Sequence, residues 1–291
     1  MNWFDALNHS IAALSTGGFS TKAESIGYYG SFGIEAVTIV LMLLGSTNFL
    51  AHLYLIRGGG KNFFRYCEVK FQLILCALAA PVLSAFLIYG GLEGHVGQGF
   101  RDGLFQVVTA LTTTGFQTVP SFAVWSSPLI MVMTLLMLIG GGTGSTAGGI
   151  KQIRVCIMLK SLCWSIRSKI SQKRLIHADG IYRISGYEYL KAEERLEASD
   201  FILLYLGVFA AGTFILCACG FGIGDSMFEF ASALGTVGLS VGITGYDASP
   251  VVLWTETVGM LAGRIEIYVI FVAAVQFGRA IKDGYNKTEG R

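Results

Sequence analysis

Charged residues are scarce in this chain of 291 residues, with 21 Lys or Arg and 19 Asp or Glu making up 14% of the total. Apolar residues make up 53% and occur in long uninterrupted runs that a water-exposed surface cannot carry. This composition excludes an ordinary soluble protein. It predicts an all-α integral membrane protein, because lipid offers no partner to an unpaired backbone amide and a helix satisfies its own.

Cysteine and histidine are few and show no metal-binding spacing. None of the six cysteines belongs to a Cys-x-x-Cys pair, so all six are predicted to be free core thiols, neither disulfides nor metal ligands. Each histidine is predicted to be an ordinary interfacial or loop residue; the four are His9, His52, His95 and His177. The sequence also lacks a Ser-His-Asp arrangement, paired catalytic carboxylates, a nucleic-acid motif and the basic region of a signal peptide. An enzyme is therefore not expected, and neither are a cofactor or a nucleic-acid partner.

Five stretches meet or approach the ~20 apolar residues that a helix needs to cross a bilayer. They are 32–56, 69–90, 126–160 with an interruption, 200–220 and 250–277. The last one qualifies only if Glu256, Arg264 and Glu266 are accommodated inside the protein.

The basic residues are segregated along the chain. Four of the 21 Lys and Arg lie in 57–70, ten in 151–195 and four in the tail from Arg279 onward. By the positive-inside rule these three segments are predicted to be cytoplasmic.

Three shorter helical segments lie between the spans, at 2–14, 99–111 and 224–234. Lengths of 10–14 residues are typical of re-entrant or buried helices and not of crossings. If these segments dip into the membrane and return, all three basic segments lie on one side. If they cross it, the basic segments no longer all lie on one side of the membrane.

Each short segment ends on the Ala-Leu pair of the pattern Ala-Leu-x-Thr-x-Gly-apolar, and we call these three copies the filter segments. They read AALSTGGFST (12–21), TALTTTGFQT (109–118) and SALGTVGLSV (232–241). A ring of backbone carbonyls can replace the water around a dehydrating cation, and glycine permits the left-handed dihedrals that turn carbonyls inward. One copy alone would be interpreted as a helix C-cap, whereas three aligned copies favour a cation filter. The candidate cation-binding residues are Thr16, Gly17, Gly18, Thr113, Thr114, Gly115, Thr236, Val237 and Gly238.

Residues 140–149 (GGGTGSTAGG), called here the glycine loop, interrupt the third span. Six glycines, each costing ~1 kcal/mol in a helix relative to alanine, will not hold a regular helix. A close-packing surface of small residues is the alternative. A nucleotide P-loop is excluded, because Ile150 separates Gly149 from Lys151.

Arg264 is predicted to lie well inside the last span, where a cation normally faces a cavity or a partner. A helix-locking pair with Glu256 or Glu266 is the alternative, although neither residue is an obvious local partner. Glu256 lies eight residues before Arg264, and Glu266 lies two residues after it.

The filter segments, the stretch 140–151 and the sequence GMLAGRIEIY (259–268) together resemble the Trk/Ktr/HKT superfamily of potassium transporters. The membrane subunits of the bacterial Trk and Ktr systems are the most similar. The resemblance runs from about residue 3 to residue 280 and implies potassium-channel-like repeats of span, re-entrant pore helix, filter loop and span. It implies potassium uptake across a bacterial inner membrane, a homodimer, and a cytoplasmic nucleotide-binding regulatory subunit of the TrkA/KtrA type.

The resemblance also implies a gate below the filter, made by a flexible loop and a basic residue. The residues that match it are Gly140, Gly141, Gly142, Thr143, Gly144, Ser145, Thr146, Ala147, Gly148, Gly149 and Arg264.

Superfamily members carry four repeats around one pore, and this chain contains three filters. Its expected divisions are a partial second repeat (1–56), a third repeat (57–160), a cytoplasmic connection (161–198) and a fourth repeat with a short tail (199–291). Without a first repeat the chain alone is not expected to conduct, which suggests a truncated gene product. Repeats of one orientation favour a pore over an alternating-access carrier. A sodium-conducting or sodium-coupled member of the superfamily remains the nearest alternative.

Overall fold

The computed structural model of the protein describes residues 1–92, 95–170, 180–265, 267–273, 275–277 and 279. Its helices are α1 (Trp3–Leu14), α2 (Phe32–Gly45), α3 (Phe49–Ile56), α4 (Gly60–Arg65), α5 (Cys67–Tyr89), α6 (Val96–Leu111), α7 (Ser127–Ile139), α8 (Gln152–Ile170), α9 (Ala192–Ala218), α10 (Ile223–Leu234) and α11 (Pro250–Arg264). A 3-10 turn covers Ser25–Tyr29, and two strands, β1 (Gly180–Arg183) and β2 (Gly186–Tyr189), form a hairpin. His177 and Glu266 lie outside the described residues.

The three short helices α1, α6 and α10 form where the sequence predicts them. Each one ends at the leucine in the third position of its filter segment. The start of α1 is fixed by Asn2, whose side chain accepts a 2.7 Å hydrogen bond from the amide of Asp5. Such an N-cap satisfies one of the amides that a helix leaves without a partner at its first turn.

Helices α5 and α9 are long and apolar enough to cross a bilayer, as predicted for 69–90 and 200–220. Two bent helix pairs bring the number of candidate spans to four within the described residues, judged by length and composition. The predicted interruption of the third span is also present, because the glycine loop separates α7 from α8.

The predicted span over 32–56 is not one straight helix. The chain bends by 108° between α2 and α3. Gly45 lies so close to α1 that a Cβ there would be 2.3 Å from the Leu14 carbonyl oxygen. The carbonyl of Ser46 accepts a 2.8 Å bond from the amide of Gly142. The helix ends here because its last carbonyls bind the glycine loop.

The last span is also bent, by 102° between α11 and the helical residues Ile267–Phe277. Arg264 is therefore the final residue of α11 and lies at the break between the two helices of this candidate span. A Cβ at the preceding Gly263 would be 1.8 Å from the Leu234 carbonyl oxygen. This contact presses the end of α11 against the end of the short helix α10.

Aromatic packing fixes α10 between its two flanking helices. A Cβ at Gly212 of α9 would be 2.0 Å from the Phe230 ring, and one at Gly259 of α11 would be 2.9 Å from it. The ring is 2% exposed, so it fills the space that both glycines leave open. A side chain at either glycine position would force the Phe230 ring to move. This close packing fixes the position of α10 and of the third filter segment at its end.

The hairpin β1–β2 is a feature that the sequence did not predict within 161–198. Its register pairs Gly180 with Tyr189 and Arg183 with Gly186. Strands of four residues are too short to show a clear alternation of apolar and polar residues. The division of the chain at 161–198 stays a prediction.

The cysteines carry free thiols, but the prediction that all lie in the core is wrong. Cys163 and Cys219 are exposed, whereas Cys67 and Cys156 are buried.

Candidate cation filter and the loop beneath it

The three filter segments share an uncommon backbone conformation. The threonines Thr16, Thr113 and Thr236 have φ values of 49°, 53° and 53°. Residues other than glycine rarely adopt such values, and threonine is β-branched, so the surrounding structure must hold them there. The glycines two positions later also have positive φ, with 67° at Gly18, 88° at Gly115 and 91° at Gly238. The same strained backbone conformation in all three filter segments indicates that the segments share one function.

The filter segments lie side by side in chain order. A Cβ at Gly18 would be 1.9 Å from the carbonyl oxygen of Thr114, and one at Gly115 would be 1.9 Å from that of Val237. Gly238 has no atom within 4 Å of its Cβ position. The glycine of the first segment thus lies against a carbonyl of the second, and the glycine of the second lies against a carbonyl of the third. The glycine of the third segment, Gly238, has no such neighbour, so this side of the row of segments is open. A cavity of about 480 Å³ is lined by residues of all three segments.

Aspartates on the short helices α1 and α6 hold the chain just after the first two filter segments. Asp5 accepts a 2.6 Å bond from the Thr21 hydroxyl, and Asp102 accepts one of the same length from Thr118. The Thr21 bond holds the pKa of Asp5 below its usual value. Both aspartates stand eleven residues before the filter threonine, an equal spacing that could have revealed them in the sequence.

A second set of contacts lies seven residues before each filter threonine, at His9, Gln106 and Glu229. His9 Nε2 is 2.8 Å from Ser20 Oγ, and Glu229 accepts a 2.6 Å bond from Ser240 Oγ. His9 is 3% exposed, so its assignment to an interface or a loop is wrong. It is a buried support of the first filter segment.

The glycine loop lies against all three filter threonines. Thr16 Oγ1 donates a 3.0 Å bond to Thr146 Oγ1, and the amide of Gly148 donates a 2.7 Å bond to Thr113 Oγ1. A Cβ at Gly148 would be 2.6 Å from Thr236 Oγ1. The loop therefore caps one end of the three segments.

The outer side of the glycine loop is bonded to Glu68 in the first turn of α5. Its Oε1 accepts a 2.9 Å bond from the amide of Thr143, and its Oε2 accepts a hydrogen bond from the hydroxyl of Tyr66. Glu68 is 2% exposed. It was not selected from the sequence because it has no motif around it.

Arg264 contacts the loop directly, since its Nη1 donates a 2.9 Å bond to the carbonyl of Thr146. Within the described residues it forms no ion pair. The two carboxylate oxygens of Glu256 lie 2.7 and 2.8 Å from the hydroxyl oxygen of Thr244 instead. A locking pair between Arg264 and Glu256 is therefore absent.

A second cation reaches the same loop, and sequence reasoning did not select it. Lys151 Nζ donates a hydrogen bond to the carbonyl of Ala147. A cavity of about 140 Å³ lies between the loop, Lys151 and Arg264.

The TrkH family, described as cation transport protein, matches residues 1–278. This chain belongs to the TrkH family. It is 32% identical over 284 residues to the Trk system potassium uptake protein TrkH of Escherichia coli K12, covering 94% of this chain and 56% of that protein. It is 30% identical to the protein of the same name from Halomonas elongata, with the same coverage.

The fold has a solved counterpart in the TrkH family. The crystal structure of the potassium transporter TrkH from Vibrio parahaemolyticus matches with a TM-score of 0.81 at 27% identity, covering 94% of this chain and 58% of that one. The chain thus spans a little over half the length of these relatives. The resemblance drawn from the filter segments is confirmed, and so is the fold class. The chain is a multi-pass membrane protein.

Proposed function

We propose that these residues form most of the wall of a potassium-conducting pore, used for potassium uptake across a bacterial inner membrane. The observation that carries the proposal is the left-handed threonine followed by a left-handed glycine in three adjacent filter segments. A repeated strained backbone with a carbonyl packed against each neighbouring glycine suits a ring of oxygen ligands. The names of the relatives from Escherichia coli and Halomonas elongata agree with it.

The ion is the cargo of this site, and we infer no resident cofactor and no enzymatic activity. Potassium would exchange its hydration water for backbone carbonyls of the nine candidate filter residues, with the Thr16, Thr113 and Thr236 hydroxyls as further oxygens. Nothing in this arrangement is a nucleophile or a general base placed against a substrate.

The glycine loop and Arg264 would act as the gate. The loop bonds to Thr16 and Thr113 and closes one end of the filter, and its small residues leave room for a change of conformation. The charge of Arg264 opposes the passage of another cation, because like charges repel strongly where water is scarce.

The open side beside Gly238 is where a fourth filter segment would complete the ring. A pore lacking one wall would expose polar backbone to lipid, which is costly. A homodimer and a cytoplasmic nucleotide-binding regulatory subunit are proposed from the family resemblance.

A chimera tests the proposal. Residues 1–291 are joined to the part of the Escherichia coli relative that lies outside the matched region, and the chimera is expressed in a bacterium without potassium uptake. We expect the chimera to restore growth at low potassium and to favour potassium over sodium in proteoliposome flux, whereas residues 1–291 alone do neither. Flux that favours sodium would support the sodium-conducting alternative. Equal rescue by the short chain would contradict the need for a fourth wall.

A further inference from the structure

The end of α4, the first turns of α5 and the first half of α8 line a cavity of about 530 Å³ that contains no filter residue. Cys67, Lys70, Phe71 and Ile74 share one face of α5, at the three- and four-residue spacing that aligns side chains along a helix. We propose that this basic cavity binds an anionic phospholipid of the cytoplasmic leaflet, with the phosphate held by Arg65, Lys70 and Lys160.

Charge is the first argument for this occupant. Arg65, Lys70 and Lys160 all line the cavity, and no Asp or Glu does. Within the described part of the chain none of the three forms an ion pair. The nearest carboxylate in sequence is Glu68. Its two oxygens are bonded to Thr143 and Tyr66, and neither of these residues lines the cavity. An anion in this cavity would meet three cations and no competing acid.

The apolar lining is the second argument. Phe64 is 62% exposed and Ile74 is 44% exposed, so both present uncovered hydrocarbon to whatever fills the cavity. Cys67 and Cys156 are buried and add an apolar surface behind the cations. A free phosphate would leave these surfaces in contact with water, whereas an acyl chain covers them.

The position of the cavity in the membrane is the third argument. Arg65 and Lys70 belong to a basic segment predicted to be cytoplasmic. Ile74 lies about 10 Å further along the axis of α5 than Cys67, at 1.5 Å per residue. Arg65 and Lys70 therefore lie nearer the predicted cytoplasmic end of the cavity than Ile74 does, and basic pockets between helices on this side suit anionic lipids.

Lipid binding to the purified chain in detergent tests the proposal. Dioleoyl phosphatidylglycerol and phosphatidylcholine with the same chains are titrated separately, and bound lipid is measured by native mass spectrometry. The variant carries R65Q, K70Q and K160Q. A matched control with K61Q, R167Q and K169Q removes the same charge from the same side of the molecule, outside the cavity.

We expect the cavity variant to bind phosphatidylglycerol about a hundredfold more weakly, since each basic side chain near an anionic head group contributes about fivefold. The control should change binding by less than about fivefold, and phosphatidylcholine should bind weakly to all three proteins. Ile74→Trp, which fills the apolar part and keeps the charges, should also weaken phosphatidylglycerol binding.

Two results would overturn the proposal. Equal weakening in the cavity variant and the control would mean general surface attraction and no site. Displacement of the lipid by millimolar inorganic phosphate would mean that the cavity recognises a soluble anion. Neither result depends on whether the filter conducts potassium, so the two proposals fail separately.

Discussion

The backbone amide of Gly148 donates a 2.7 Å hydrogen bond to the side-chain oxygen of Thr113. One residue belongs to the glycine loop and the other to a filter segment, so the proposed gate is bonded directly to the proposed filter. A Cβ at Gly148 would also be 2.2 Å from the Gly235 carbonyl oxygen. Movement of the loop must therefore break these contacts, so opening of the proposed gate would be coupled to the backbone of the proposed filter.

Gly115→Ser should reduce the preference of the chimera for potassium over sodium by about tenfold, equivalent to about 1.4 kcal/mol of differential binding. A side chain at Gly115 would collide with the Val237 carbonyl, 1.9 Å from its Cβ position, and would displace one ligand. Permeability ratios measured in proteoliposomes check this. Gly245→Ser, which meets no atom within 4 Å, is the control. Unchanged ratios for Gly115→Ser would count against the filter assignment.

Arg264→Ala should raise potassium flux by about fivefold without altering selectivity. It removes a cation from the exit of the filter, and about 1 kcal/mol of barrier corresponds to about fivefold in rate. Arg264→Lys keeps the charge and should stay near the original flux. Flux is normalised to folded protein, because a purely structural role predicts lower flux per folded molecule in Arg264→Ala.

Glu68→Ala should release the outer side of the glycine loop, raising flux and lowering stability together. The amide of Thr143 loses its 2.9 Å partner, and the hydroxyl of the buried Tyr66 loses its acceptor. An unsatisfied buried group costs about 1–3 kcal/mol. Glu68→Gln keeps an acceptor oxygen and should have a smaller effect on both. Glu24→Ala at an exposed position is the control. A loss of stability with unchanged flux would leave Glu68 as a structural residue only.

Asp102→Ala should lower the melting temperature and weaken potassium selectivity, because Thr118 after the filter loses its 2.6 Å bond. The expected loss in the free energy of unfolding is about 1–3 kcal/mol. Thermal unfolding in detergent measures it. Asp225→Ala is the matched control, since Asp225 has the equivalent position in the third repeat but is exposed. If both variants lose the same stability, the carboxylate does not support the filter.

The three short helices and the filter segments could be predicted from sequence because the pattern repeats. Periodicity and a Thr-x-Gly motif are local properties, and three copies in one register remove the ambiguity of any single copy. The glycine loop was also visible, since six glycines among ten residues oppose a helix whatever surrounds them.

Contacts between distant residues were decided only by the tertiary structure. The bend after Gly45 follows from Ser46 binding Gly142, nearly a hundred residues later in the chain. Apolar composition predicts a continuous helix there, because it carries no information about which carbonyls another segment needs.

Sequence by itself determined that the chain has re-entrant helices, filter segments and an unwound loop, because each depends on residues close together in the chain. The tertiary structure decided what holds them. Glu68 became a partner of the glycine loop, His9 a support of the first filter segment, and Gly238 the edge of an open side. These roles depend on which groups meet in space, and a hydrogen bond such as the one from Thr16 to Thr146 joins residues that are 130 positions apart in the chain.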